Sequence, residues 1–133
     1  MNPEDWRRNE ASRWLALAAK DLHVASLTAM EEPSASVFHS QQCAEKSEKA
    51  LPAFHNTNFR KTHDLKELGE QCALLQPTLT PILSEAANLT DYAVVFRYLD
   101  APHEPDAEEA RSALATAQSL YDSVRSLLRQ DHR

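Results

Sequence analysis

Two side chains with complementary chemistry, Arg97 and His103, lie close together in the sequence, with five residues between them. Cleavage of RNA without a metal needs a base for the 2′-hydroxyl and a cation for the charge that develops at phosphorus. Histidine titrates near neutral pH and arginine always carries its charge, so the pair is a candidate catalytic site. The alternative is that Arg97 caps the end of a helix and His103 is a solvated loop residue.

A second group of polar residues lies on one predicted helix, where Gln42, Glu45, Lys46 and Lys49 fall within two turns. Glu45 and Lys49 have the spacing of an ion pair along a helix. We interpret these four residues as a polar rim that contacts a nucleotide phosphate or a partner protein, with Tyr98 as a further contact. The alternative is a solvated helix face.

The remaining basic residues offer a weaker site. Arg60, Lys61 and His63 precede a predicted helix N-terminus, which suits an anion, although a solvated loop is the favoured interpretation. His39 and His63 lack the spacing of known metal-binding motifs, so we interpret them as structural histidines with hydrogen bonds. We therefore expect no metal and no other cofactor.

Composition restricts the class of protein. The chain has 133 residues, 42% apolar and 26% charged, which predicts one soluble globular domain over residues 1–133. A formal net charge of −6 repels nucleic acid at long range, so any such binding needs a local basic cluster. Cys43 and Cys72 have no CxxC spacing and are expected to be reduced core residues. No long apolar run indicates a membrane span, and we expect a cytoplasmic protein.

The elements that position these side chains are predicted to be helices. A single glycine argues against a sheet, and apolar residues recur at spacings of three and four along the chain. Five helices are predicted. The first begins at Pro3–Asp5 and includes Trp14 and Leu17 in its inward face. The second is capped by Ser34 or Ser36, and its predicted inward face is Val37, Ser40, Ala44, Ser47, Leu51 and Phe54. The third is capped by Thr62, the fourth runs from Thr80-Pro81 to Arg97, and the last opens at Pro105. Pro52 is predicted to kink the second helix or end its regular hydrogen bonding. Trp6 and Phe96 are expected in the core. The predicted fold is an all-α, antiparallel up-and-down bundle of four main helices and one shorter helix.

Four sequence pieces in this order resemble the HEPN domain family, over roughly residues 10 to 130. They are Ala19–Leu22 (AKDL), Phe38–Leu51 (FHSQQCAEKSEKAL), Thr62–Leu68 (THDLKEL), and Tyr92 followed by Arg97-Tyr98. The resemblance is strongest to small prokaryotic members that are encoded beside minimal nucleotidyltransferases. It implies a helical bundle, usually a homodimer, with roles in nucleotide binding, RNA cleavage or toxin–antitoxin systems. The spacing of Arg97 and His103 is similar to the Arg-x4–6-His pattern of the ribonuclease members.

Two functions from different classes follow. The first is a binding module for a nucleotide or RNA that works with a nucleotidyltransferase partner and does no chemistry itself. The second is a metal-independent endoribonuclease toxin that uses Arg97 and His103 from both protomers of a dimer. Tyr98, where nuclease members usually carry a small polar residue, favours the first function, and His103 favours the second.

Overall fold

The computed structural model describes residues 2–58, 62–95 and 104–130, and these residues form helices and no strand. The all-helical fold is therefore confirmed. The helices are α1 (Pro3–Thr28), α2 (Pro33–Phe54), α3 (Leu65–Leu75), α4 (Thr80–Ala86), α5 (Tyr92–Val95) and α6 (Ala107–Gln130), with 3₁₀ turns at Pro77–Leu79 and Ala87–Leu89. None of the helices described here is long and apolar enough to cross a membrane.

Helices α1 and α2 form an antiparallel hairpin. Pro33 occupies the first turn of α2, where its missing N–H costs nothing. The prediction that Ser34 or Ser36 caps α2 is wrong, because Glu32 holds the cap position without a side-chain hydrogen bond. Ser36 instead donates its hydroxyl to the carbonyl oxygen of Ala25 at 2.7 Å, which ties the start of α2 to the end of α1.

The inward face of α1 differs from the prediction at two positions. Ala11, Ala18 and Ala25 are buried, whereas Leu17 is 43% exposed and Trp6 is 54% exposed. The small side chains are on the inside because α2 packs along α1 over most of its length. The expectations that Leu17 and Trp6 face the core are therefore wrong, and Phe96 lies outside the described residues.

Helix α2 is the centre of the bundle and contacts α1, α3, α5 and α6. Five of the six residues of its predicted inward face are buried, namely Val37, Ser40, Ala44, Ser47 and Leu51. The sixth, Phe54, is partly buried and packs against the core. These side chains are mostly small, so the neighbouring backbones approach closely. The result is a short core with little room for solvent between α1, α2 and α6.

Pro52 lies inside α2, and the helix continues past it to Phe54. The helix therefore does not end at Pro52, but the regular hydrogen bonding is interrupted there, as one of the predicted alternatives required. Proline has no N–H, and the carbonyl oxygen of Glu48 therefore lacks its usual helical donor. The thiol of Cys72 on α3 donates to that oxygen at 3.2 Å. A contact between helices thus replaces the hydrogen bond that Pro52 removes.

Helices α3 and α4 begin differently from the sequence prediction. Asp64 caps α3, with its carboxylate accepting from the Lys66 N–H at 2.9 Å, so the prediction of Thr62 as the cap is wrong. The predicted single fourth helix is also wrong. It is divided into α4, the turn at Ala87–Leu89 and α5. At the division, Thr90 Oγ1 accepts a hydrogen bond from the Leu65 N–H at 3.0 Å, and the Thr90 N–H donates to the carbonyl oxygen of Ala87, three residues earlier.

Helix α6 completes the bundle. It begins at Ala107, two residues after the predicted start, and the Asp106 carboxylate accepts from the Glu109 N–H at 2.8 Å. Arg111 reaches Met30 near the start of α2, and Leu128 lies near Phe54 at the end of α2. Helix α6 therefore runs parallel to α2 and antiparallel to α1.

Candidate functional site

A buried carboxylate on α1, Asp21, anchors two basic side chains of α2. Asp21 is 8% exposed and accepts from His39 Nδ1 at 2.8 Å and from the Lys46 ammonium group. Because an ionised carboxylate can only accept, His39 carries its proton on Nδ1. This pairing fixes the orientation of both basic groups.

A second buried carboxylate, Glu45 on α2, organises the neighbouring basic groups. Glu45 is 3% exposed and accepts from Lys49 Nζ at 3.1 Å and from Gln41 Nε2 at 3.3 Å. His63 Nδ1 lies 3.1 Å from each Glu45 oxygen, and the His63 side chain is 82% exposed. His63 therefore carries its proton on Nδ1 and presents Nε2 to solvent.

Two further contacts complete this arrangement, which we call the α2 cluster (Asp21, His39, Gln41, Gln42, Glu45, Lys46, Lys49 and His63). The Lys49 ammonium lies 5.3 Å from the centre of the Trp14 ring, a cation–π distance. Gln42 donates to the side-chain oxygen of Gln41 at 2.6 Å, and Gln41 in turn bonds to Glu45. The four predicted residues of α2 are thus brought together, and the ion pair of Glu45 with Lys49 is present.

The burial of the cluster argues against the alternative interpretation of a solvated helix face. Glu45 is almost completely buried and the Lys49 side chain is only 13% exposed, so these two residues do not form a solvated helix face. Lys46 and His39 keep about a quarter of their side chains exposed, at 24% and 29%. The groups that solvent and ligands reach are therefore His63, Lys46 and His39.

A third acidic residue, Glu48, lies beside the cluster without joining it. Glu48 is completely buried, and neither of its carboxylate oxygens has a hydrogen-bond partner among the described residues. Burial, and secondly the charge of Glu45, raise the pKa of Glu48 well above its usual value. Its burial therefore favours the protonated, uncharged form of Glu48.

The two cysteines are buried free thiols. Burial is the main cause that raises the pKa of Cys43 to about 12, and burial likewise raises the pKa of Cys72. Neither thiol ionises near neutral pH, so neither is a nucleophile. This agrees with their interpretation as core residues.

Several predicted site residues fall on parts of the chain that the structure does not describe. Arg97, Tyr98 and His103 lie outside the described residues, and so do Arg60 and Lys61. The chain is described up to Val95 before this segment and from Glu104 after it. Tyr92 on α5 donates its hydroxyl to Glu109 on α6, which holds together the two helices that precede and follow this segment.

Sequence reasoning missed Asp21, Glu48 and the ring of Trp14 as parts of this region. Asp21 and Glu48 stand within the two sequence pieces that carried the resemblance, Ala19–Leu22 and Phe38–Leu51. Glu48 also follows Ala44 by four residues, which is the spacing of the inward face of α2. That spacing was the available signal that Glu48 is buried.

The fold and the cluster define a class: a helical bundle in which two buried carboxylates, Asp21 on α1 and Glu45 on the central helix α2, pair with basic groups. The sequence model of the HEPN domain matches residues 11–127. The match covers most of the chain, so the protein belongs to the HEPN family, a family of nucleotide- and RNA-related helical modules. No curated protein and no solved structure matches the chain.

Proposed function

We propose that this protein is a cytoplasmic nucleotide- or RNA-binding module that works with a minimal nucleotidyltransferase in a toxin–antitoxin-type system. The observation that supports it is the pairing of four basic side chains with two buried carboxylates in the α2 cluster. Asp21 holds His39 and Lys46, and Glu45 holds Lys49 and His63. Basic groups held in fixed positions bind a phosphate with less loss of side-chain entropy than free ones.

The roles within the cluster follow from exposure. His63 and Lys46 are the groups that contact phosphate, because they are accessible and already oriented. Glu45 positions His63 directly, with Lys49 and Gln42 supporting Glu45, and Asp21 positions Lys46. Tyr98 supplies a further contact from the segment after α5. The same surface then serves as the contact for the nucleotidyltransferase partner.

Trp14 provides a direct test, because Lys49 lies over its ring and the chain has one other tryptophan, Trp6. In a Trp6→Phe background, titration with ATP or a short RNA should change the fluorescence of Trp14. Lys46→Ala and His63→Ala should weaken binding about tenfold, the effect of losing a charged hydrogen bond of about 1.4 kcal/mol. Lys20→Ala, an exposed lysine on α1, is the matched control and should leave the affinity unchanged.

Two results would contradict this function. One is the absence of a Trp14 response to either ligand at millimolar concentration. The other is an equal loss of affinity in the Lys20→Ala control, which would mean that only net charge matters. The partner is tested separately by co-expression with a minimal nucleotidyltransferase. A complex that Lys46→Ala weakens supports the shared surface, and a complex that is insensitive to every change in the α2 cluster contradicts it.

The second candidate function is a metal-independent endoribonuclease that uses Arg97 and His103. It is favoured by the spacing of these residues and by the Tyr92–Glu109 bond beside the segment that carries them. RNA products should then carry 2′,3′-cyclic phosphates, because histidine activates the 2′-hydroxyl and water takes no part. Cleavage should persist in a chelator, and DNA should stay intact.

Matched histidine variants decide this candidate. His103→Ala and Arg97→Ala should each lower the cleavage rate by roughly 100-fold or more. His23→Ala, which removes an exposed histidine of α1, should cut like the wild type. If the wild type cleaves no RNA, or if His103→Ala retains the full rate, the binding module is the better account.

We also propose a homodimer. Trp6 and Leu17 are exposed and, being eleven residues apart, lie on the same face of α1, which leaves an apolar surface for a second copy. Sedimentation equilibrium should report twice the 15.0 kDa chain mass. Leu17→Glu should yield the monomer without unfolding it, because Leu17 does not contribute to the core. A wild-type protein that sediments only as a monomer at micromolar concentration contradicts the dimer.

A further inference from the structure

A cleft separate from the α2 cluster lies between the first turns of α1 and the last turns of α6. Its volume is about 390 Å³, within the range of small-molecule sites. The end of α2 forms its base through Phe54. Its lining includes Arg8, Leu15, Phe54, Tyr121, Arg125 and Arg129.

The charge of the cleft is opposite to that of the chain. Three arginines and no acidic residue are among its described lining residues, although the chain has a net charge of −6. Arg125 and Arg129 are exposed and make no hydrogen bond or ion pair with any described residue. Arg8 bonds to Glu4 at 2.8 Å through one terminal nitrogen, while its buried Nε has no partner in the described part of the chain.

A favourable interaction with the negative C-terminal end of α6 does not explain both arginines of this helix. Only Arg129 lies in the last turn of α6, whereas Arg125 stands a full turn earlier. Like charges four residues apart on a helix repel each other. An anion between them would remove that repulsion, and guanidinium groups bind phosphate through two parallel hydrogen bonds.

The rest of the lining is largely apolar. It includes the rings of Phe54 and Tyr121 and the side chains of Leu15 and Leu128. A bare phosphate would leave this surface exposed to water, and an uncharged aromatic molecule would leave the arginines without a partner. The combination fits a ligand that has both parts.

We propose that this cleft binds an organic phosphate monoester, with its aromatic body on Phe54 and Tyr121 and its phosphate between Arg8, Arg125 and Arg129. None of these residues belongs to the α2 cluster or to the Arg97–His103 pair. The proposal therefore stands or fails independently of the proposed function.

Calorimetric titration of the full chain with four probes tests the chemistry. Phenyl phosphate should bind with one site per chain, at least tenfold more tightly than either inorganic phosphate or phenol. Adenosine monophosphate distinguishes the source of the ligand. Affinity equal to or above that of phenyl phosphate indicates a nucleotide, and weaker binding indicates a smaller aromatic phosphate. Inorganic phosphate or phenol binding as tightly as phenyl phosphate would overturn the proposal.

Variants locate the binding in the cleft. Arg125→Gln and Arg129→Gln should each weaken phenyl phosphate at least fivefold. Arg111→Gln is the matched control, since Arg111 is exposed on the same helix, contacts Met30 and does not line the cleft. Ala16→Trp should abolish binding by filling the cleft while all charges remain. Melting curves should show that each variant is folded. Full affinity in Arg125→Gln, or an equal loss in Arg111→Gln, would overturn the proposal.

Discussion

Replacement of Glu48 by glutamine isolates the energetic effect of one buried acid. Glu48 is completely buried with no partner for either oxygen, and burial raises its pKa well above the ordinary value. At pH values between the ordinary glutamate pKa and the raised pKa of Glu48, the folded chain therefore keeps a proton that the unfolded chain releases. Glu48→Gln has the same shape and cannot ionise, so it removes this difference between the two states.

The sign and size of the effect follow from proton linkage. Below the unfolded pKa of glutamate, about 4.3, both states hold the proton and Glu48 causes no pH dependence. As the pH rises above that value, only the unfolded state loses the proton, so the wild type loses about 1.4 kcal/mol of stability per pH unit until the folded pKa is reached. The Glu48→Gln variant does not lose this stability, because glutamine does not ionise. The ratio of the variant's unfolding equilibrium constant to that of the wild type should therefore fall about tenfold per pH unit.

Urea unfolding followed by circular dichroism at several values between about pH 5 and pH 7 measures the difference. The slope with pH is the diagnostic quantity, because an unsatisfied amide in the variant adds a cost that does not depend on pH. Glu70→Gln, an exposed acid on α3, is the control and should show no comparable slope.

A pH-independent difference between Glu48→Gln and the wild type over this range would refute the reasoning. It would mean that Glu48 is ionised in the folded protein, or that the unfolded state shields it equally. A slope of the opposite sign would indicate a folded-state partner that stabilises the carboxylate.

Two further changes test the contacts between helices. Asp21→Ala should lower the free energy of unfolding by about 3 kcal/mol, since it leaves two partly buried basic groups without their buried partner. Glu4→Ala, which breaks an exposed pair, should cost less than about 1 kcal/mol, and equal losses in urea titrations would contradict the role of Asp21. Cys72→Ala should cost about 1–3 kcal/mol by removing the donor to the Glu48 carbonyl, and less in a Pro52→Ala background, where residue 52 regains an N–H. A double-mutant cycle with no coupling would show that the thiol does not replace the bond lost at Pro52.

Much of the fold was predictable because helices are local. The inward face of α2 was predicted from spacing alone, and Val37, Ser40, Ala44, Ser47 and Leu51 are all buried. Spacing works here because α2 is surrounded by other helices, so its apolar and small positions face protein. The ion pair of Glu45 with Lys49 was predicted for the same reason, since it depends only on the helical repeat.

The prediction was wrong where an element depends on a distant residue. The fourth helix is broken because Thr90 bonds to the N–H of Leu65 at the start of α3. Leu17 is exposed although it fits an inward spacing, because α2 lies against the alanines of α1 instead. Local preference does not indicate which face of a helix a neighbour will cover.

The sequence by itself determined the helical class, the approximate bounds of the helices and the family pattern in and around α2, since each depends on short-range spacing. The tertiary structure alone decided the state of the polar residues. Asp21 lies 25 positions from Lys46, and their bond exists only because α1 and α2 pack antiparallel. Glu48 is buried against Gly69 of α3. A Cβ atom added to Gly69 would lie 3.5 Å from Oε1 of Glu48, which shows how close α2 and α3 are at this point. Burial and pairing depend on which surfaces meet, and residues far apart in the chain supply those surfaces.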